Sequence, residues 1–165
     1  MRRLNTPPTV ANVIADQNAT EDSTFTFTYE ESSFSEVDAG DSLTYSAKQS
    51  DGTTLPSWLT FNAATRTFSG TPLNADVGTL SIKVTATDTE NATVSDTFDI
   101  VVTNANDAPT LANPIADQNA TEDSAFTFQF ANSTFVDVDA GDLLSYSATR
   151  SDGTALPSWL TFIGA

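Results

Sequence analysis

The sequence predicts an all-β protein made of tandem β-sandwich domains, and three observations support this prediction. Short runs alternate apolar with polar residues, as in FTFTY at 25–29 and LTYSA at 43–47, which is typical of strands with one buried face. Gly, Pro, Asn and Asp separate these runs, and no stretch has the apolar period of a helix. The third observation is a long internal repeat, which indicates a domain that has been copied.

The strands can be placed in chain order. They are predicted at residues 10–14, 25–29, 43–47, 58–61, 67–69, 80–86 and 98–102. The last two form a predicted hairpin across the turn at 88–96, and the Asp-Gly pairs at 51–52 and 152–153 are predicted hairpin turns. About seven strands in a domain of about 100 residues are typical of an immunoglobulin-like sandwich.

One segment of the chain occurs twice, at an offset of 101 residues. Residues 8–64 and 109–165 align without a gap and are identical at 40 of 57 positions. A period this long fits a domain that buries its own core rather than a stacked solenoid unit. The predicted regions are a tail at 1–7, a complete repeat at 8–107, and the N-terminal half of a second repeat at 108–165. A half-sandwich leaves strand edges unpaired, so we expect residues 109–165 to be loose or to associate between molecules.

Composition excludes several classes of function. The chain has 22 acidic and 6 basic residues and a net charge of −16, which repels nucleic acid and anionic lipid. It has no Cys and no His, which excludes thiol catalysis, His-assisted triads and most zinc sites. No apolar run follows the basic residues at 2–3, so this segment shows no signal peptide, and no run is long enough to insert into a membrane.

A tryptophan recurs in the frame LPSWLTF, at Trp58 and again at Trp159. It could fill the core between two sheets, or it could be an exposed platform for sugar rings. The apolar neighbours Leu55, Leu59 and Phe61 favour the core. Full burial of Trp58 would indicate a spacer, and exposure on a flat face would indicate a glycan binder.

The acidic residues of DVDAGD at 137–142 have the pattern of an oxygen-rich metal site. In an extended chain Asp137 and Asp139 lie on one side, and the Ala-Gly pair turns Asp142 back toward them. Calcium takes six to eight such oxygen ligands. An EF-hand is excluded because Ala148 stands where its loop requires a bidentate Glu. The alternative is that these acids are solvated turn residues.

Three motifs resemble the dystroglycan-type cadherin-like domains and the related immunoglobulin-like repeats of bacterial surface proteins. They are LPSWLTFNAATRTFSGTP at 55–72, VTATD at 84–88 and NANDAP at 104–109. The resemblance covers both copies and implies calcium held between successive domains. The inter-repeat ligands that it implies are Glu21, Asp76, Asn104, Asn106, Asp107, Asp137 and Asp139.

The resemblance also implies a second, upstream calcium site that uses Glu36, Asp38 and Asp88. NTPP at 5–8 stands there in place of NDAP at 106–109, so this site lacks its linker Asp. At the inter-repeat site, Asn104, Ala108 and LNAD at 73–76 depart from the cadherin pattern. Fewer charges predict weaker binding, with a Kd of about 10⁻⁴–10⁻³ M.

We therefore expect a non-catalytic, calcium-binding repeat that acts as a rigid spacer or adhesion module of a large bacterial surface protein. The resemblance implies an extracellular or membrane-associated location, with neighbouring repeats, cell-surface molecules or polysaccharides as partners. Enzymatic activity is not expected, because the sequence has no phosphate-binding Gly loop and no nucleotide fingerprint. The alternative is a carbohydrate-binding module of a polysaccharide-degrading or matrix-binding protein.

Overall fold

The computed structural model describes residues 4–164, which form two compact units that divide after Ala105. Each unit is described by itself. These residues contain no α-helix and two short 3₁₀ turns, Glu31–Ser33 and Asn74–Asp76. The described part of the chain therefore has no helix with the length and apolarity needed to cross a membrane.

The first unit is built from nine strands. They are β1 Thr9–Val10, β2 Gln17–Thr20, β3 Phe25–Thr28, β4 Phe34–Ser35, β5 Thr44–Gln49, β6 Leu59–Asn62, β7 Thr67–Gly70, β8 Gly78–Thr87 and β9 Thr93–Thr103. One sheet has the order β2-β9-β8-β5 and another the order β3-β7-β6, while β1 and β4 form a short separate pair. All pairs are antiparallel except β2 with β9, which is parallel.

The core lies between the two larger sheets. Ile82, Val84 and Ala86 alternate along β8 and are fully buried, because alternate residues of a strand point to the same face. The ring of Phe98 on β9 lies 5.6 Å from that of Phe27 and 5.5 Å from that of Phe68, both on the other sheet. These contacts across the interior define a β-sandwich, as the sequence predicts.

The strand predictions hold best where apolar alternation is strong. The β8–β9 hairpin is confirmed, with a shorter turn than predicted because β9 already begins at Thr93. The predicted first strand at 10–14 is reduced to Thr9–Val10, and β2 and β4 were not predicted. β2 lacks the alternating apolar pattern because only one of its four residues, Ala19, is buried.

The hairpin prediction for Asp51 and Gly52 is wrong in topology. The turn itself forms, with Gln49 N donating to Thr53 O at 3.0 Å and Asp51 Oδ1 accepting from Thr53 N at 2.9 Å. The strands on either side, β5 and β6, belong to different sheets. The chain therefore crosses from one sheet to the other after this turn. The hydrogen bonds within the turn do not decide which strands pair.

The second unit has few strands. β10 Thr110–Leu111 pairs with β11 Phe135–Val136, as β1 pairs with β4 in the first unit. The segments that match β2, β3, β5 and β6 have no strand assignment among residues 106–164. Here too the Asp-Gly turn at 152–153 forms, with Arg150 N donating to Thr154 O at 2.9 Å, but it joins no paired strands.

Candidate metal centre

Three carboxylates meet in the loop that follows β4. One oxygen each of Glu36, Asp38 and Asp41 lies within 4.8 Å of the others, and we call these residues the first acidic cluster. The loop closes with a hydrogen bond from Asp41 N to Asp38 O at 3.1 Å. Gly40 adopts φ +101°, a conformation that glycine adopts without a steric penalty. The glycine in VDAGD is thus what turns Asp41 back toward Asp38.

Backbone and side-chain hydrogen bonds hold the first acidic cluster in place. Glu36 Oε1 accepts from the backbone N of Val37 and Asp38, at 2.7 and 2.8 Å. Asp38 Oδ2 accepts from Thr6 N at 2.7 Å, and Asp41 Oδ1 accepts from the Thr89 hydroxyl at 2.6 Å. Glu36 Oε2 is buried and has no hydrogen-bond partner among the described residues. The cluster therefore keeps an acceptor that nothing within residues 4–164 satisfies.

Asp88 lies beside this cluster and is linked to the N-terminal segment. Its Oδ2 accepts from Asn5 Nδ2 at 3.0 Å, and its Oδ1 accepts from the backbone N of Glu90 and Ala92 at 3.0 and 2.8 Å. Burial by itself would raise the pKa of Asp88, but these hydrogen bonds outweigh it and hold the pKa below its ordinary value. Asp88 is therefore held as a carboxylate.

Asn5 and Asp41 are functional candidates that the sequence analysis did not name as ligands. Asn5 Oδ1 is buried without a hydrogen-bond partner among residues 4–164. The repeat offset of 101 residues could have identified both, because it aligns Asn5 with Asn106 and Asp41 with Asp142. Thr6 stands where the upstream site lacks its linker Asp, and its backbone N donates to Asp38, but it supplies no carboxylate.

The second unit repeats this arrangement. One oxygen each of Asp137, Asp139 and Asp142 lies within 4.8 Å of the others, and we call these the second acidic cluster. Asp139 Oδ2 accepts from Asp107 N at 2.7 Å, and Asp139 N donates to Asp137 Oδ1 at 3.0 Å. Asp139 is only 5% exposed, and its Oδ1 has no hydrogen-bond partner among the described residues. Two clusters with one geometry thus arise from one duplicated motif.

Glu21 lies at the other end of the first unit, where β2 ends. Its side chain is 0% exposed, and its Oε1 accepts from Ala105 N at 2.9 Å. Its Oε2 is buried and unpartnered within the described residues. A buried carboxylate oxygen without a partner costs free energy. A cation bound at this position would satisfy that oxygen, and the role of Glu21 as a calcium ligand stays a prediction.

The remaining predicted ligands lie outside the two acidic clusters. Asp76 Oδ2 accepts from Leu73 N at 2.9 Å and caps its own 3₁₀ turn. Asn104 is exposed, and Asn106 Nδ2 donates to Asp107 O at 2.8 Å. Glu21, Asp76 and Asn104 belong to the first unit and the other inter-repeat ligands to the second. That all seven share calcium ions stays a prediction.

The chemistry of the two clusters suits a hard cation. No Lys or Arg side chain within residues 4–164 lies at ion-pair distance from either cluster. The ion pair in this part of the chain joins Arg66 to Glu31, which is outside both clusters, at 3.9 Å. Oxygens on opposite sides of a calcium ion are about 4.6–5.2 Å apart, because each binds at about 2.3–2.6 Å. In both clusters the oxygens are therefore close enough to one another for a single calcium ion to contact all three.

Trp58 is neither fully buried nor a flat exposed platform. It is half-buried, and its ring meets that of Phe25 edge-on with 6.2 Å between centroids. The core interpretation is therefore correct in part, because Trp58 packs against the buried core without being enclosed by it. Its counterpart Trp159 is 67% exposed. The residues around Trp159 form no strand, whereas those after Trp58 form β6.

The fold and the duplicated clusters define a class: tandem immunoglobulin-like repeats. The family model described as "Putative Ig domain" matches residues 7–103 and 108–165. The chain belongs to this family, and its second match is the shorter one. No curated protein was found to match the chain.

Several solved structures are similar at low identity. An endo-fucoidan hydrolase of glycoside hydrolase family 107 is 21% identical over 64% of this chain and 15% of its own length, with a TM-score of 0.50. The PKD domain of the KIAA 1837 protein is 15% identical over 71% of this chain and 100% of its own, with a TM-score of 0.40. An I-band fragment of titin is 13% identical over 66% and 36%, with a TM-score of 0.40. Similarity at identities this low shows a shared fold and nothing about function. The chain spans only 14–19% of the length of the first structures matched.

Proposed function

We propose that this chain is a non-catalytic, calcium-binding, cadherin-like repeat that serves as a rigid spacer or adhesion module of an extracellular bacterial surface protein. The observation that carries the proposal is the pair of acidic clusters, each with carboxylate oxygens within 4.8 Å and with a buried, unpartnered oxygen. Membership of an immunoglobulin-like repeat family supports a structural module rather than an enzyme.

Calcium would act by satisfying carboxylates that otherwise repel one another. In the first unit the ligands would be Glu36, Asp38 and Asp41, with Asn5 Oδ1 as a neutral oxygen. Because Asn5 lies in the segment before β1 and hydrogen-bonds to Asp88, an ion there would tie this segment to the sandwich. Stiffening of the segment that enters each repeat is what a rigid spacer requires.

We expect calcium to raise the melting temperature of the first unit. With a Kd of about 10⁻⁴–10⁻³ M, 10 mM free calcium would stabilise the folded state by about 1.4–2.7 kcal/mol. This corresponds to a rise on the order of 10 °C for a domain of this size. The measurement is thermal denaturation of the full chain in calcium and in chelator, with calorimetric titration for stoichiometry.

The matched variants for this experiment are Asp38→Asn and Asp51→Asn. Both remove one negative charge, but Asp51 belongs to an exposed turn outside the first acidic cluster. Asp38→Asn should abolish most of the calcium-dependent rise and Asp51→Asn should keep it. Identical melting curves in calcium and chelator for the unsubstituted chain would refute the proposal.

A second candidate, carbohydrate binding, is favoured by a groove beside the first acidic cluster. The groove has a volume of about 580 Å³ and is lined in part by Glu36, Asp41, Tyr45 and Arg66. A calcium ion at Glu36 and Asp41 together with the Arg66 guanidinium would suit the hydroxyl and acidic groups of a saccharide. Trp58 gives little support to sugar binding, because it is half-buried and its ring meets that of Phe25 edge-on.

We expect the chain to show no retention on insoluble polysaccharides in a pull-down with calcium or with chelator. Retention that disappears in chelator and in Arg66→Gly would instead establish the carbohydrate-binding function. Arg66 adopts φ +56°, so glycine removes its side chain without straining the backbone. Arg66→Gly therefore tests the groove with the sandwich intact.

A further inference from the structure

The first and the last strand of the four-stranded sheet lie side by side in the first unit. β2 pairs in parallel with β9, from Gln17 opposite Ile100 to Thr20 opposite Thr103. Tension along a tandem array pulls the start of β2 and the end of β9 in opposite directions along the strands. Because the bonds of a parallel ladder are evenly spaced, this tension loads all of them at once, in shear.

Two aspartates extend the contact between these strands beyond the start of β2. Asp96 Oδ2 accepts from Ile14 N at 2.7 Å, and Asp16 Oδ1 accepts from Asp99 N at 2.8 Å. Both bonds join the segment before β2 to β9. Hydrogen bonds to charged acceptors are shorter and stronger than those between neutral groups. The two aspartates therefore lengthen the ladder with side-chain bonds at its N-terminal end.

Further hydrogen bonds hold the other end of the pair. Glu21 N donates to Thr103 O at 3.0 Å, and Glu21 Oε1 accepts from Ala105 N at 2.9 Å. The Thr103 hydroxyl donates to Ala19 O at 3.1 Å. Residues 14–21 are thus joined to residues 96–105 along their whole length, with a carboxylate acceptor at each end. We call these two segments the shear clamp.

We propose that the first unit is a load-bearing module, in which the shear clamp and the carboxylates of Asp16, Asp96 and Glu21 resist tension along the array. Residues 22–95 lie between the two segments in the chain, so tension along the backbone reaches them only after the clamp opens. β1 precedes the clamp but pairs with β4 over two residues only. The clamp contains its own hydrogen-bond partners and works without a cation, so it goes beyond the proposed calcium binding.

The test is single-molecule force spectroscopy of the full chain at constant load, in chelator. The chain has no Cys, so introduced thiols define the points of attachment, and exposed Val13, Ser23 and Asn104 are suitable positions. Val13→Cys with Asn104→Cys pulls the clamp in shear, whereas Ser23→Cys with Asn104→Cys peels the same strands apart from their C-terminal ends. We expect the lifetime under equal load to be at least about tenfold longer in shear, because peeling breaks the bonds one at a time.

Alanine variants of the two aspartates test the carboxylates. In shear, Asp16→Ala and Asp96→Ala should each shorten the lifetime about tenfold, because a backbone N–H loses its charged acceptor. In peeling they should change it less than about threefold, because the bonds of Ile14 and Asp99 lie at the end that opens last. Asp51→Ala is the matched control, since its carboxylate also accepts from a backbone N but lies in an exposed turn outside the clamp. It should leave the shear lifetime within about twofold of the unsubstituted value.

Equal lifetimes in shear and in peeling would overturn the proposal. Equal losses in both geometries for Asp16→Ala would overturn it as well, because they would show a general loss of stability. Circular dichroism without load establishes that each variant is folded, and Asp16→Asn replaces any alanine variant that is not. That variant keeps an acceptor oxygen and loses the charge, so its shear lifetime should lie between those of the alanine variant and the unsubstituted chain. Because chelator is present throughout, a failure to bind calcium would refute the proposed function and leave this result unchanged.

Discussion

Replacing Gly70 by alanine is expected to cost the first unit more than about 4 kcal/mol of its free energy of unfolding. Gly70 is the last residue of β7 and pairs with both Phe25 and Leu59. A Cβ added there would lie 1.7 Å from Trp58 O and 2.8 Å from Trp58 C. Both are backbone atoms, so relief requires β6 and β7 to move apart. Since domains are stable by only about 5–15 kcal/mol, this substitution should remove a large share of the stability of the first unit.

The measurement is urea denaturation followed by circular dichroism. Gly78→Ala is the matched control, because Gly78 has φ +134° and a Cβ there meets no atom within 4 Å. That variant carries backbone strain alone and should cost about 1–3 kcal/mol. If Gly70→Ala were no more destabilising than Gly78→Ala, the Trp58 backbone could not lie as close to Gly70 as the structure places it.

Phe98→Ala is expected to destabilise the first unit by about 3–5 kcal/mol. Phe98 is buried on β9 and contacts Phe27 and Phe68 across the interior. The substitution removes these contacts and leaves a cavity at the centre of the sandwich. Urea midpoints and denaturant slopes measured for the variant and the unsubstituted chain give the difference directly.

Val101→Ala is the control for this second prediction. Val101 lies on the same strand but on its outer face, where it is 36% exposed. Its loss should cost about 1 kcal/mol or less. Comparable destabilisation by Val101→Ala and Phe98→Ala would mean that β9 does not separate a buried from an exposed face.

Gly70 and Phe98 both lie within residues 67–103, which are connected to the first acidic cluster. These residues supply β7, β8 and β9, the central strands of the two larger sheets, and Asp88 follows β8 directly. A substitution that loosens them should therefore weaken any calcium site at the first acidic cluster as well. A calcium-binding variant must accordingly be checked for fold before it is interpreted as a ligand.

Much of the fold could be predicted because repeats and apolar alternation are properties of the sequence alone. β8 and β9 alternate strongly, so their positions and their hairpin were correct. β2 was missed because only Ala19 of its four residues is buried. The pairing of β5 and β6 was wrongly assigned because the Asp51-Gly52 turn has local hairpin chemistry, while the chain beyond it crosses to the other sheet.

The candidate site was predicted in part for a related reason. Glu36, Asp38 and Asp88 were named from motifs, whereas Asn5 entered only when its amide was found on Asp88. Residues 5 and 88 are too far apart in the chain for spacing to relate them. Conversely, Asp137, Asp139 and Asp142 lie within six positions, and their proximity follows from local turn geometry.

The sequence by itself determined that this protein is an all-β tandem repeat with a period of 101 residues and a net charge of −16. These properties depend on local alternation, on composition and on identity between two segments. Only the tertiary structure decided that residues 67–103 are the central strands of both larger sheets and that Glu21 is buried with an unpartnered oxygen. Strand order and burial arise from contacts between residues far apart in the chain, which a one-dimensional pattern does not record.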